Sequence, residues 1–247
     1  FAPLSSLPAC FSFVAIEVPL FMTNFPIPLL CHPELLSQDS ETKMKASGML
    51  RFVFSGYSIW LEPEQFHFDL DSAIQVASKE LDAYPIPAPH VTLLYGITGL
   101  TEKEMINRFR SVFTNEVQSW PPLLHKGFIS DIELEGVNGG LMDMAWMEVS
   151  FETSKEHEAL VDRIQDVFVD QVEPTSRVPW APHASLAYTN PDALIPLEVL
   201  EDLLERFPTL TRSRRVAGVS LWSTQGTIDQ WKRLHRIRFD GSKQSEQ

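Results

Sequence analysis

Ala88-Pro89-His90-Val91-Thr92-Leu93-Leu94-Tyr95 and Ala181-Pro182-His183-Ala184-Ser185-Leu186-Ala187-Tyr188 are two copies of one eight-residue pattern. They agree at Ala, Pro, His, Leu and Tyr, with Thr92 and Ser185 as hydroxyl equivalents. Each copy follows a helical run and a proline-containing loop, and each precedes a further helical run. A repeat at this separation implies two half-domains related by pseudo-symmetry. Both copies have strand character, and residues two apart in a strand share a face. His90 therefore projects beside Thr92, and His183 beside Ser185.

Outward from these strands, β-branched or aromatic runs alternate with amphipathic helical runs, which predicts an α+β or α/β domain. Phe52 to Leu61 reads as a strand and Ser72 to Leu81 as a helix, stopped by Pro85, Pro87 and Pro89. Thr101 to Glu104 fits a capping box, and Met105, Ile106, Phe109, Val112 and Phe113 supply the buried stripe that follows. Leu124 to Leu134 and Leu141 to Phe151 read as strands joined at Asn138-Gly139-Gly140, a hairpin turn. Thr153 to Glu156 reads as a second capping box, opening a helix through Leu160, Val161, Ile164, Val167 and Phe168. The loop from Pro174 to Pro182 leads into the strand at His183 to Tyr188. A helix from about Leu197 to Phe207 and strands near Val216 to Trp222 and Trp231 to Phe239 complete the domain.

Two imidazoles and two hydroxyls meet in one groove if the half-domains face each other. Hydrolysis of a P–O bond takes a proton from the attacking water and gives one to the leaving oxygen, and histidine suits both tasks near neutral pH. Hydroxyl donors stabilise charge on the non-bridging oxygens. A single H-x-T or H-x-S in a strand is ordinary and most often structural; it is the duplication that points to chemistry.

The chain has 247 residues, 44% of them hydrophobic, with a formal net charge of −13. That charge argues against coating nucleic acid, which needs clustered Lys and Arg, but allows a small phosphorylated ligand in a locally favourable pocket. The two cysteines, Cys10 and Cys31, precede the folded region, so neither a disulfide framework nor a cysteine zinc site is available to the core. An intracellular, cytoplasmic location is expected. Residues 1–50 read as an unstructured leader, because Pro3, Pro8, Pro19, Pro26, Pro28 and Pro33 interrupt its apolar runs. Glu17 and these prolines break any membrane span, and no Lys or Arg precedes Lys43 to open a signal peptide. The organisation expected is thus leader 1–50, one domain of two half-domains over 51–240, and a tail at 241–247.

The paired motif resembles the 2H phosphoesterase superfamily, and its eukaryotic cyclic phosphodiesterase branch in particular. Tyr57-Ser58-Ile59-Trp60-Leu61, the two histidine motifs, Leu221-Trp222-Ser223-Thr224, and Thr227 to Trp231 are similar to that branch's landmarks in order. The resemblance implies an α+β, bilobal fold of two antiparallel sheets facing a central groove, with helices outside. It implies metal-independent hydrolysis of ADP-ribose 1″,2″-cyclic phosphate and nucleoside 2′,3′-cyclic phosphates, with no cofactor. His90 and His183 would be catalytic, Thr92 and Ser185 would bind phosphate, Tyr188 would contact substrate, and Trp60 would line the base or ribose side. The branch does not reliably hold a tyrosine at the position of Tyr95, whose role stays open between packing and substrate contact.

Two rival readings remain: an enzyme that processes RNA ends, and a non-catalytic nucleotide-binding module. The acidic chain, lacking a continuous basic track, counts against the first. A monomer without stable nucleic-acid or membrane partners is expected. His67, His125, His157 and His235 lack a mirrored hydroxyl partner and read as surface or packing residues. A zinc site on His90 and His183 would need further ligands, and neither motif carries a neighbouring carboxylate or thiolate in sequence. Arg212, Arg214, Arg215, Lys232, Arg233, Arg236 and Arg238 lie in strand-like regions, where most are expected to face solvent.

Overall fold

The computed structural model describes residues 55–134, 144–172, 180–189 and 196–239. The leader, the Asn138-Gly139-Gly140 turn, most of the loop from Pro174 and the tail lie outside the described residues. Among the described residues, seven strands form: β1 (Tyr57–Pro63), β2 (Val91–Ile97), β3 (His125–Leu134), β4 (Met144–Phe151), β5 (His183–Thr189), β6 (Val216–Ser223) and β7 (Lys232–Arg238). The described residues also hold four α-helices: α1 (Asp69–Glu80), α2 (Glu102–Ser111), α3 (Lys155–Val167) and α4 (Leu197–Arg206).

The strands make two antiparallel sheets, one in the order β2-β1-β6-β7 and the other in the order β3-β4-β5. The fold is the expected α+β class. Both motif strands, β2 and β5, are sheet edges, and the two edges lie side by side. The indole Nε1–H of Trp180, just before β5, donates to the Thr92 carbonyl on β2 at 2.9 Å. Tyr84, just ahead of the first motif, forms a backbone bridge to Tyr188 on β5. Each edge thus finds partners in the other half, which limits the unpaired backbone that an edge strand leaves open.

One helix crosses to the other sheet. Helix α1, which follows β1 in the first half, packs on β5 and α4. At the far end of α3, the Gln171 carbonyl accepts from the Thr98 N–H at 2.9 Å, and the Gln171 Oε1 accepts from Arg108 of α2 at 2.8 Å. Leu70, Ala73, Ile74 and Ala77 of α1 and Met105 and Phe109 of α2 are fully buried, in the core that also holds Ile59, Leu61, Val149, Leu186 and Leu221.

Local chemistry explains the boundaries. Thr101 and Glu104 form the capping box of α2 as expected. After Ser111 the helix widens into a single π turn, with Val117 N–H donating to Val112 O at 3.0 Å, and Val112, Phe113 and Val117 stay buried. The second capping box is not Thr153 to Glu156. Ser154 has the extended backbone of an N-cap, its hydroxyl accepts from His157 N–H, and its own N–H donates to His157 Nδ1 at 3.2 Å. Thr153 instead donates its hydroxyl to the Trp180 carbonyl at 3.1 Å. His157 is buried as part of the cap, a packing role, while His67 is exposed.

Helix α1 begins three residues before the expected Ser72. Asp69 organises its start, accepting from the N–H groups of Phe66 (3.0 Å) and Leu70 (2.9 Å) and from the Thr209 hydroxyl (2.8 Å). Arg214 grips the same carboxylate with two guanidinium nitrogens, at 3.1 and 2.6 Å, and its side chain is fully buried. The expectation that the basic cluster mostly faces solvent therefore fails at Arg214. Arg236 is also engaged, at 2.7 Å from Glu62 across the sheet.

Candidate active site

The register of the two sheets determines what surrounds each histidine. In the second sheet, Ser150 is opposite His183, Glu148 opposite Ser185, and Trp146 opposite Tyr188. Cross-strand partners share a face, so all six project to the same side. His183 and Tyr188 are an odd number of residues apart and would face opposite ways in a regular strand. A bulge resolves this: Leu186 is the extra residue between the Glu148–Ser185 and Met147–Ala187 pairs. The first sheet carries the same device at the same motif position, with Leu93 extra between the Trp60–Thr92 and Ile59–Leu94 pairs. The repeat in sequence is thus a repeat in backbone irregularity.

The histidines are anchored identically. His90 Nδ1 lies 2.7 Å from the Ala88 carbonyl, and His183 Nδ1 lies 3.0 Å from the Ala181 carbonyl. A carbonyl only accepts, so Nδ1 carries the hydrogen in both rings, and each Nε2 is left to meet a ligand.

Their surroundings differ. His90 is 4% exposed and its ring lies flat on Trp60, with centroids 3.5 Å apart at 7°. Burial pushes its pKa down to about 4, against the Ala88 hydrogen bond that favours the cation, and repulsion from His183 adds to the depression. The groove-face position expected for it is in fact a buried one. The His183 side chain is 31% exposed, and its Nδ1 lies 3.6 Å from Glu148 Oε2. Glu148 is buried and accepts from Trp146 Nε1–H at 2.8 Å and the Ser150 hydroxyl at 2.6 Å. Sequence reasoning found no carboxylate beside either motif, because Glu148 arrives from the neighbouring strand. The signal that could have exposed it is a lone acidic residue in the apolar run Met144-Ala145-Trp146-Met147-Glu148-Val149.

Trp60 is 2% exposed. His90 stacks on it at 3.5 Å and Trp222 at 4.4 Å, and two rings this close to one indole occupy opposite faces. Both faces are thus covered, and Trp60 backs His90 instead of offering the base or ribose contact that the resemblance implied. Its Nε1–H donates to the Ser58 hydroxyl at 2.7 Å, which donates to the Leu94 carbonyl at 3.0 Å. Thr92 is half-buried and Ser185 buried. Tyr188 is hydrogen-bonded to the Ser185 side chain, and burial pushes its phenol up to about 12, with the Glu148 charge adding to the shift. Arg233 lies over the Trp222 ring at 6.0 Å.

Among the described residues, no three His, Cys, Asp or Glu side chains converge as a metal-binding group, and no helix is long and apolar enough to cross a membrane.

Residues 58–227 match the family model of the 2'-5' RNA ligase superfamily. Among solved structures, Kluyveromyces marxianus Usb1 is 15% identical, with 72% of this chain and 96% of that chain covered and a TM-score of 0.43. TT0787 of Thermus thermophilus is 13% identical, with 75% and 98% covered and a TM-score of 0.47. LigT of E. coli, complexed with 3'-AMP, is 11% identical, with 74% and 97% covered and a TM-score of 0.42. No curated protein matches the chain.

Proposed function

The chain belongs to the 2'-5' RNA ligase superfamily of 2H phosphoesterases, and we propose that it is a metal-independent phosphodiesterase that opens small cyclic phosphates by a two-histidine mechanism. The substrates we assign are ADP-ribose 1″,2″-cyclic phosphate and nucleoside 2′,3′-cyclic phosphates. The observation that carries this reading is the twin anchoring of His90 and His183 through Nδ1 to the carbonyl two residues back, which leaves both Nε2 atoms for proton transfer.

His90, held neutral by burial against Trp60, is suited to be the base. Its Nε2 takes a proton from water as the water oxygen bonds to phosphorus. The P–O bond to the ribose breaks, and the leaving oxygen takes a proton from Nε2 of protonated His183. One water is consumed, a phosphomonoester and a free hydroxyl form, and solvent exchange restores the two protonation states. The Thr92 and Ser185 hydroxyls donate to the non-bridging oxygens, where charge builds in the transition state.

The test is turnover of a nucleoside 2′,3′-cyclic phosphate by the full chain in excess EDTA, with product monoester measured. Sustained turnover is expected. Tight binding without turnover would make the chain a nucleotide-binding module, and activity lost to the chelator but restored by zinc or manganese would make it a metallophosphoesterase. Selective action on oligonucleotide ends would favour RNA processing.

A further inference from the structure

The two halves of the site superpose in pattern but not in chemistry at one position. Opposite the hydroxyl residue of each motif, before the shared bulge, stands a residue of the adjacent strand: Trp60 opposite Thr92, and Glu148 opposite Ser185. In the first half that position gives an aromatic face to the histidine. In the second half it gives a carboxylate, 3.6 Å from Nδ1 of His183.

Glu148 is held so that it can do little else. One oxygen accepts from Trp146 Nε1–H and the other from the Ser150 hydroxyl, both residues being on its own strand and face. Among the described residues its ion-pair partner is His183. The Nδ1 hydrogen is already committed to the Ala181 carbonyl, so the carboxylate acts on the ring by charge and by bounding its edge.

We propose that Glu148 is a positioning residue whose carboxylate orients the His183 ring, so that the near-symmetric pair divides into acid (His183) and base (His90). This inference rests on the two-histidine reading above. The titratable groups that the described residues set around His183 are Glu148 on β4, Tyr188 on β5, which also couples to Glu148, and His90 from the first half. Tyr188 is neutral across the working range, its phenol pushed up to about 12, and a charge on His90 would oppose one on His183.

The experiment is kcat and KM for wild type, Glu148→Gln, Glu148→Asp and His183→Ala, with a nucleoside 2′,3′-cyclic phosphate as substrate. Gln is isosteric, and its carbonyl and amide can still meet Trp146 and Ser150, so the fold is expected to hold. For Glu148→Gln we expect kcat to fall by on the order of 10- to 10²-fold, less than the 10²- to 10⁴-fold of a lost proton donor. KM should change little, so that the loss falls on kcat. Glu148→Asp, which keeps the charge, should recover most of the rate; it also carries the test if the Gln variant does not fold. Unchanged kcat in Glu148→Gln, or an Asp variant as impaired as the Gln variant, would overturn the proposal. Full turnover by His183→Ala would instead sink the two-histidine reading itself, whereas an inactive His183→Ala beside an unaffected Glu148→Gln would remove Glu148 alone.

Discussion

The imidazole of His90 lies parallel to the indole of Trp60 at 3.5 Å, beneath a surface that leaves the histidine 4% exposed. An imidazolium in that place would lose most of its hydration, which is why burial leads the causes that bring its pKa to about 4. The stack thus sets the protonation state of one histidine, while the surroundings of the mirrored one are a carboxylate and solvent.

Activity should therefore persist well into the acid range, falling only as pH drops through about 4 and His90 takes a proton. Trp60→Ala should admit water and shift that limb upward, toward the ordinary imidazole range, whereas Trp60→Phe should leave it near the wild-type position. His90→Ala and His183→Ala should each lose about 10²- to 10⁴-fold in kcat. Steady-state pH profiles decide it: a wild-type acid limb near the ordinary imidazole value of about 6.5 would contradict the buried, neutral base.

The same displacement has a stability signature. His90 binds a proton in the unfolded chain below about 6.5 but in the folded chain only below about 4, so folding stability should decrease as pH falls through that window. The full displacement corresponds to about 3 kcal/mol at this one site, present above the window and lost below it. Urea unfolding at pH 7 and pH 4 should show a smaller decrease for His90→Gln than for wild type.

The hydroxyls should matter less than the imidazoles. Thr92→Ala and Ser185→Ala each remove one phosphate hydrogen bond and leave proton transfer intact, so losses on the order of 10- to 10³-fold in kcat are expected. Ser185 is also held by Tyr188, so Tyr188→Phe should give a smaller loss in the same direction. Either alanine variant matching His90→Ala would mean that the hydroxyls take part in proton transfer.

What the sequence made legible was local. The mirrored motif, the Thr101 capping box and the helical stripes each lie within a few residues, where periodicity and side-chain chemistry can be read directly. Glu148 was not legible, because its nearness to His183 depends on the β4–β5 register and on the Leu186 bulge. Trp60 was singled out, but its stack on His90 depends on the β1–β2 register. Arg214 and Asp69 are 145 residues apart, and a strand-like run of basic residues gives no sign that one of them is buried. The second cap was misplaced by one residue because Thr153 and Ser154 are equivalent by composition; Thr153 is drawn to Trp180, leaving the cap to Ser154.

A shortened chain beginning at Met49 should retain turnover and melting behaviour. The described residues from 55 onward already contain both sheets, both motifs and the contacts between their edges. Side-by-side kcat and thermal melts of the two chains measure this, and loss of the melting transition on truncation would mean that residues 1–48 complete the core.

The Asp69–Arg214 pair should be the most stability-sensitive polar contact outside the site. It joins the start of α1 to the segment entering β6, and it is bidentate and fully buried. Burial alone would raise the Asp69 pKa, but the Arg214 hydrogen bonds and charge, with the Thr209 hydroxyl and Leu70 N–H, outweigh it and hold the carboxyl below its usual range. Removing one partner strands the other charge, so Asp69→Ala or Arg214→Ala should each cost about 3–5 kcal/mol in urea unfolding. The double variant Asp69→Leu/Arg214→Met should cost clearly less than the sum of the single effects, since no unpaired charge remains. A carboxyl with a lowered folded pKa contributes its stability above the unfolded value and loses it only as pH falls through the lower, folded one. The Asp69 contribution should therefore be intact at pH 5, where the effect of His90 is already developing. If Asp69→Ala proved neutral at pH 7, or if its cost vanished between pH 7 and pH 5, the pair would not be the ionised clamp that its geometry describes.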